Sequence, residues 1–354
     1  EPCLMWGVTG GSVDSMVANY TASRKKRRKD DYTPGGTNDR RPNRAVMVYT
    51  NLIRRYFKDT RPIVLGGIEA SLRRVAHYDY WSDSVRRSIL FDSKADYLLY
   101  GMAERSILQL VHALKDGGDV THIRGLCYIS KDLPEDHLEL PPYELVSTNT
   151  RAFINMFHTF YKNTEPLNAQ GLVQQHGDRY LVQNKPAEYL TQPEMDAVYA
   201  LPYQRAQHPF YAAQGKVRAL ETIRFSINTQ HGCYGECNFC SIAVHEGRTV
   251  RWRSEASVVA EAELIAKMPD FKGYILDVGG PTANMYGFEC PIKLKDGACQ
   301  DKRCIYPVVC PALKPTHARQ TALLKRLRKI PGVKKVFVSS GIRYDLVVAD
   351  EKHG

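Results

Sequence analysis

Cys233, Cys237 and Cys240 lie in the stretch HGCYGECNFCSI, a Cys-x3-Cys-x2-Cys spacing that can turn three thiolates toward one metal centre. Thiolates select soft metals, chiefly zinc and iron–sulfur clusters. A structural zinc takes four closed ligands. Only three cysteines are local, so in that reading His231 or His245 supplies the fourth. The other solution is a 4Fe-4S cubane in which cysteines hold three irons and the last iron is left open. Placement favours the cubane, because the cysteines follow directly on a predicted strand, at the end where α/β folds bind cofactors. Gly232 and Gly235 relax the backbone around the thiols, and Phe239 puts an apolar ring just before the last one.

A second group, Cys290-x8-Cys299-x4-Cys304-x5-Cys310, falls in a segment rich in glycine and proline. Four such thiols can enclose a tetrahedral zinc or hold an auxiliary iron–sulfur cluster. The segment reads as poor in apolar side chains, so a loop of its length needs a crosslink to be ordered. Cys3 and Cys127 are isolated and expected to be buried as small apolar residues. Nine cysteines, seven of them between 233 and 310, do not describe a disulfide scaffold. Their clustering points to metal in a reducing compartment, hence to the cytoplasm.

Around these groups the chain has an ordinary soluble composition, 43% hydrophobic and 25% charged over 354 residues, long enough for two domains. No stretch approaches the roughly 20 apolar residues of a membrane span. The first residue is Glu1 rather than methionine. Net charge is +11, part of it in RKKRRK at 24 to 29. That run is read as a solvated loop rather than a phosphate contact, since no aromatic platform or nucleic-acid module accompanies it.

The elements that position the thiols come in two α/β stretches. In the first, VMVYTNLIRRYF predicts a helix with Val46, Tyr49, Ile53 and Phe57 on one face. IVLGG then predicts a buried strand, IEASLRRVAHY a helix, residues 96 to 100 a strand, and a helix follows with Ile107, Leu110, Val111 and Leu114 inward. This alternation predicts a parallel sheet whose carboxyl ends carry Gly66, Gly67 and Gly101. HYDYWSD is read as a substrate-cleft lining or a polar helix end. Residues 128 to 215 read as a junction, with a strand after a turn at Gly177-Asp178. From 219 the pattern restarts: a strand into the cysteine loop, and a helix capped by Ser254 with Val258, Ala262 and Ile265 in one stripe. GYILDVGG, TALLKRLRKI and VKKVFVSSG follow as strand, helix and strand, interrupted at 281 to 316 by the second cysteine group.

The trio with an aromatic residue before its third cysteine resembles the signature of the radical S-adenosylmethionine (SAM) superfamily. GVTGGSVDSMVANYTASRKKRRKDDYTPGG, PIVLGGIEASLRRVAHYDYWSDSVRRSIL, ADYLLYGMAERSI and SSGIRYDL, from about residue 7 to 346, resemble the YgiQ-type members of it. The resemblance implies a radical SAM enzyme with a 4Fe-4S cluster on Cys233, Cys237 and Cys240 and SAM on the open iron. Reductive cleavage of SAM would yield a 5′-deoxyadenosyl radical that attacks an unassigned substrate, with flavodoxin or ferredoxin as electron donor. It also implies SAM contacts from Phe239 and from the Gly279-Gly280 turn, although Pro281-Thr282 stands where the superfamily usually has an acidic residue. The implied architecture is a Rossmann-like, cobalamin-binding-like α/β domain over 1 to 215, then an incomplete radical SAM (β/α)6-type partial barrel over 216 to 354. The Asp-x-His-x-x-Gly cobalamin motif is absent from the sequence, and His77 stands outside it. With about three strand–helix units of six, the chain is expected to be a fragment with weak or no turnover alone. The alternative function is a zinc-stabilised, basic nucleic-acid-binding protein.

Overall fold

The computed structural model describes residues 1–353, and the fold divides into two compact units. One comprises Glu1–Asp30 with Thr37–Glu188; the other comprises Asp31–Gly36 with the chain from Tyr189 onward. The division thus falls at 188/189, whereas the sequence suggested 215/216. Residues 189 onward turn toward the second unit because the helix Gln192–Tyr199 packs on the helix Glu255–Ala266.

The first unit is built on one seven-stranded sheet: β1 (Trp6–Thr9), β2 (Ile63–Gly66), β3 (Tyr97–Leu99), β4 (Leu126–Ser130), β5 (His137–Leu140), β6 (Gly171–His176) and β7 (Arg179–Gln183), in the order β1-β2-β3-β4-β7-β6-β5. β1, β2 and β3 are parallel neighbours, as expected of strands joined by helical crossovers. β3, β4, β7 and β6 then pair antiparallel in turn, and β5 joins β6 in parallel. The expected all-parallel sheet is therefore a mixed one. Gly177, at φ 64°, opens the two-residue turn between β6 and β7. The presumed junction supplies most of β4 and all of β5 to β7. The strand expected after the Gly177-Asp178 turn is β7; β6 is harder to read because it buries Gln174 and His176 among its apolar residues. Gln174 is satisfied by Ala76 N–H (2.8 Å) and the Pro141 carbonyl (3.0 Å), and His176 stacks on Phe91 and Tyr143.

The helix Ala45–Tyr56 forms as expected, but it buries Ala45, Val46 and Thr50 while Tyr49 and Phe57 stay exposed. Thr50 can enter the core because its hydroxyl donates to the Val46 carbonyl at 2.8 Å. The second predicted helix ends early, at Gly67–Ser71, and HYDYWSD belongs to a small hairpin pairing His77–Asp79 with Ser84–Arg86. After β3, the helix Glu104–Asp116 packs Ile107, Leu110 and Leu114 over Leu99 and Leu126. Beyond the carboxyl ends of β1 and β2, a Cβ on Gly67 would stand 2.5 Å from Thr9 Oγ1, while one on Gly66 would meet nothing within 4 Å. The buried Glu69 carboxylate lies beside Gly10 and accepts the backbone N–H groups of Ser15 (2.9 Å) and Val46 (3.2 Å). The basic run is exposed throughout, but it does have an aromatic neighbour, since the Arg24 guanidinium lies 4.5 Å over the Tyr80 ring. Cys127 is buried as expected; Cys3 is exposed.

In the second unit, β8 (Ser226–Asn228) pairs in parallel with β10 (Asp277–Gly279), and β9 (Tyr274–Ile275) pairs in parallel with β11 (Lys335–Val336). Leu276 N–H donates to the Phe225 carbonyl and Val278 N–H to that of Phe337. Residues 274–279 are thus the middle of three parallel strands. The helices Glu255–Ala266 and Ala318–Leu327 cover them through Val258, Ala262, Ile265, Leu323 and Leu327. Ser254 caps the first helix, its hydroxyl accepting Ser257 N–H at 3.1 Å. The alternation read from the sequence is present here, except that Leu220–Ile223, expected to open the first strand, is a short helix and the strand is confined to Ser226–Asn228. The insertion is not poor in core residues: Met285, Phe288, Ile305 and Leu313 form an apolar cluster with Tyr234, Val250 and Leu346. No helix among the described residues is long and apolar enough to cross a membrane.

Candidate functional site

β8 runs into a loop whose base is closed before the first thiol. Gln230–His231 pairs antiparallel with Arg251–Trp252, and Cys233 N–H donates to the Gly247 carbonyl at 3.2 Å. Gly232 sits at φ 78°, and a Cβ there would stand 2.5 Å from the Thr249 carbonyl oxygen. Both facts demand glycine. Gly235 has a different reason. A Cβ on it would lie 3.2 Å from the Cys233 sulfur and 3.5 Å from that of Cys237, so this glycine leaves open the space that two thiols share.

The sulfurs of the trio lie within electrostatic reach of one another. Burial pushes the Cys233 thiol up, opposed by the Thr282 hydroxyl and the Gly235 N–H, and the Cys240 and Cys237 sulfurs push it up further. Ionising Cys233 beside the other two sulfurs is therefore costly unless a cation accompanies it. Thr282 Oγ1 lies 3.4 Å from the Cys233 sulfur, and Arg343 Nη1 donates to the Cys237 sulfur at 3.2 Å. Arg343 is fixed by a two-pronged ion pair with Asp345 and by a reciprocal pair of hydrogen bonds with Asn284, 2.8 and 3.0 Å. Phe239 is 93% exposed. Among the described residues, no group of three or more His, Cys, Asp or Glu side chains stands as a ready metal site. Ligand geometry of this kind is normally completed by the metal itself.

Three sulfurs on one loop could hold a cluster with an open iron, whereas a closed zinc would also need His231 or His245. His231, one proposed fourth ligand, has Nε2 within 2.7 Å of the Tyr199 hydroxyl. Burial, with a contribution from Arg253, holds its pKa down at about 4. That nitrogen is already committed.

The Gly279-Gly280 turn lies against the loop. A Cβ on Gly280 would sit 2.5 Å from Gln230 Cγ and 3.0 Å from its carbonyl oxygen, and one on Gly279 would meet Ala283 and Ser340 at 3.4 Å. Packing of adjacent strands alone requires the second glycine. Gly280→Ala should destabilise the protein by about 1–3 kcal/mol, read as a lower urea midpoint with an unchanged slope.

The second group is only partly gathered. Cys290 and Cys304 are buried in one cluster, while Cys299 and Cys310 are half-buried. Sequence reasoning missed Arg343, Tyr199 and Lys293, and placed Thr282 after the glycine turn without its contact to the Cys233 sulfur. Arg343 lies 106 residues from its sulfur partner, and the only sequence signal for it is its place in SSGIRYDL.

Comparison with known proteins gives the class. A family profile described as radical SAM N-terminal matches residues 1–226. The chain belongs to this family, the YgiQ-type radical SAM proteins. UPF0313 protein FN0734 of Fusobacterium nucleatum subsp. nucleatum is 55% identical across 100% of this chain and 62% of its own. A UPF0313 protein of Thermotoga maritima is 50% identical across 99% of this chain and 62% of its own. The chain spans 62% of the length of these curated relatives. Among solved structures, the radical SAM methyltransferase TsrM from Kitasatospora setae, with tryptophan substrate and a SAM analogue, superimposes with a TM-score of 0.41 at 20% identity. It covers 79% of this chain and 37% of its own. That likeness is too slight to transfer anything to this chain.

Proposed function

We propose that this chain carries the cofactor-binding part of a cytoplasmic radical SAM enzyme, with Cys233, Cys237 and Cys240 holding a 4Fe-4S cluster whose open iron receives SAM. The substrate is unassigned. The second unit is then the first half of the (β/α)6-type core, and the first unit its N-terminal partner domain. The observation that carries the reading is the convergence at Gly235, where an absent side chain lets two of the three thiols and the Arg343 guanidinium face one space. When bound, the cluster supplies the electron, drawn from flavodoxin or ferredoxin, that splits the sulfur–carbon bond of SAM. The chain's residues hold and orient. Gly232 lets the loop turn, Arg343 places positive charge against the Cys237 sulfur, and Thr282 presents a hydroxyl to Cys233. Phe239 offers an apolar face beside the open iron, and the Gly279-Gly280 turn offers backbone groups to the amino group of SAM.

The test is an electron paramagnetic resonance spectrum of the anaerobically reduced full-length protein with and without SAM. A cluster signal that shifts on adding SAM supports an open iron. A colourless zinc protein, or a signal indifferent to SAM, overturns it. Positive charge and hydrogen bonds at cluster sulfurs stabilise the reduced state. Arg343→Gln should therefore weaken reduction about tenfold, a shift of ~59 mV to more negative potential for a one-electron couple, measured by potentiometry.

A further inference from the structure

The function above makes no use of the second cysteine group or of the lysine beside it. Lys293 lies on the short helix Pro291–Asp296 and is 2% exposed. Its ammonium donates to the Arg248 carbonyl at 2.6 Å, stands 5.3 Å from the Tyr234 ring centroid, and reaches the Cys304 sulfur. Among the described residues no carboxylate pairs with it. The nearby Glu236 is already set against the buried Arg248 guanidinium, at 3.5 Å. An ammonium buried among apolar side chains is costly unless an anion answers it.

The carboxylates nearest the cluster, Glu236 and Glu289, are set against Arg248 and Arg251, and the other neighbouring groups able to supply that anion are thiols. Cys304 touches the ammonium, and Cys290 shares its apolar cluster and lies within electrostatic reach of Cys304. Cys310 is tied to Cys304 by a backbone hydrogen bond of 2.8 Å. Cys299 is joined to the same spot by Arg248, whose Nη1 donates to its carbonyl at 3.5 Å and whose own carbonyl accepts from Lys293. We infer that Cys290, Cys299, Cys304 and Cys310 hold one zinc-type divalent ion as a tetrathiolate, with Lys293 the buried cation that balances its negative charge.

A divalent ion with four thiolates is net anionic, which is the partner the ammonium lacks. Residues 297 to 316 carry no helix or strand, so the half-buried Cys299 and Cys310 can close on the ion while Cys290 and Cys304 stay packed. Burial of Cys290 and Cys304 in one apolar cluster favours a single ion, which is smaller than an inorganic cluster. The inference is independent of the cluster on the first trio.

The experiment is metal analysis of the full-length protein after gel filtration, with zinc and iron read separately. About one zinc per chain is expected, retained in Cys233→Ala and lost in Cys304→Ser and Cys310→Ser. Because a cysteine variant can fail to fold, the wild-type protein is also loaded with cobalt(II). The d–d and sulfur-to-metal absorption of a tetrahedral tetrathiolate should appear and vanish on adding zinc. Lys293→Met should lose zinc to a chelator at least tenfold more readily, in the range of second-sphere changes, with Lys293→Arg in between. Absence of zinc and of the cobalt spectrum in the wild type, zinc that survives loss of Cys304 and Cys310, or iron and sulfide persisting without the first trio would each overturn the inference. A protein with zinc but no iron would instead refute the radical SAM reading alone.

Discussion

Cys233→Ala, Cys237→Ala and Cys240→Ala should each leave the full-length protein without its iron, its low-temperature resonance and its release of 5′-deoxyadenosine. The effect is expected to be all-or-none, down to the background of unreacted SAM. A cluster held by three cysteines has no spare ligand. The loop offers little in exchange, because Nε2 of His231 is held by the Tyr199 hydroxyl at 2.7 Å. The three thiols also differ in setting. Cys233 and Cys237 are half-buried, with Thr282 and Arg343 against their sulfurs, whereas Cys240 is exposed. Cys240→Ala is therefore the variant expected to fold most like the wild type, and the clearest of the three. Retention of iron and of reductive SAM cleavage by that variant would remove the trio from the mechanism.

Acid should unfold the protein well before its carboxylates are neutralised. Histidine in an unfolded chain takes up its proton near pH 6.5. Burial holds His176 down to about 3, with Arg87 adding to the effect. Burial likewise holds His231 and His77 at about 4, aided by Arg253 and Arg73 respectively. Between those values and 6.5 the unfolded chain binds more protons than the folded one, so stability falls as pH falls. The contribution is fully present above pH 6.5 and is lost progressively down to about pH 4 for His77 and His231, and to about 3 for His176. Each histidine is worth on the order of 1–2 kcal/mol by pH 5. His176 is the sharpest case. It stacks between Phe91 and Tyr143, and neither ring nitrogen finds a hydrogen-bond partner among the described residues. Urea midpoints at pH 7.5 and 5.0 measure the loss, and His176→Phe should keep the stack while reducing it. Equal loss in the wild type and His176→Phe would mean that this ring does not titrate the fold.

What could be read beforehand was what is local. The trio declares itself by spacing, the helix Glu255–Ala266 by its cap and stripe, and two of the three strands of the second unit by short runs ending in glycine. Contacts assembled across the chain left no such mark. Arg343 and Thr282 meet the cysteine loop from segments far along the sequence, and Tyr199 sits in a stretch whose prolines suggested a linker. Burial of polar groups misled most. Gln174 and His176 broke the pattern of a core strand, and Thr50 took the place given to Tyr49, because internal hydrogen bonds or ring stacking made these residues compatible with the core. Gly280 was read for what approaches it from outside, whereas Gln230 already requires it.

Asp31–Gly36 belongs with the chain beyond Tyr189. There the Asp31 carbonyl accepts Ala219 N–H at 2.9 Å, and Gly35 N–H reaches the Lys216 carbonyl at 3.2 Å. No single cut can therefore excise the half that bears the cysteines. A piece begun at Tyr189 would leave those two backbone groups without their mates just ahead of the strand that feeds the thiol loop, so separate expression of the halves calls for grafting the hexapeptide back.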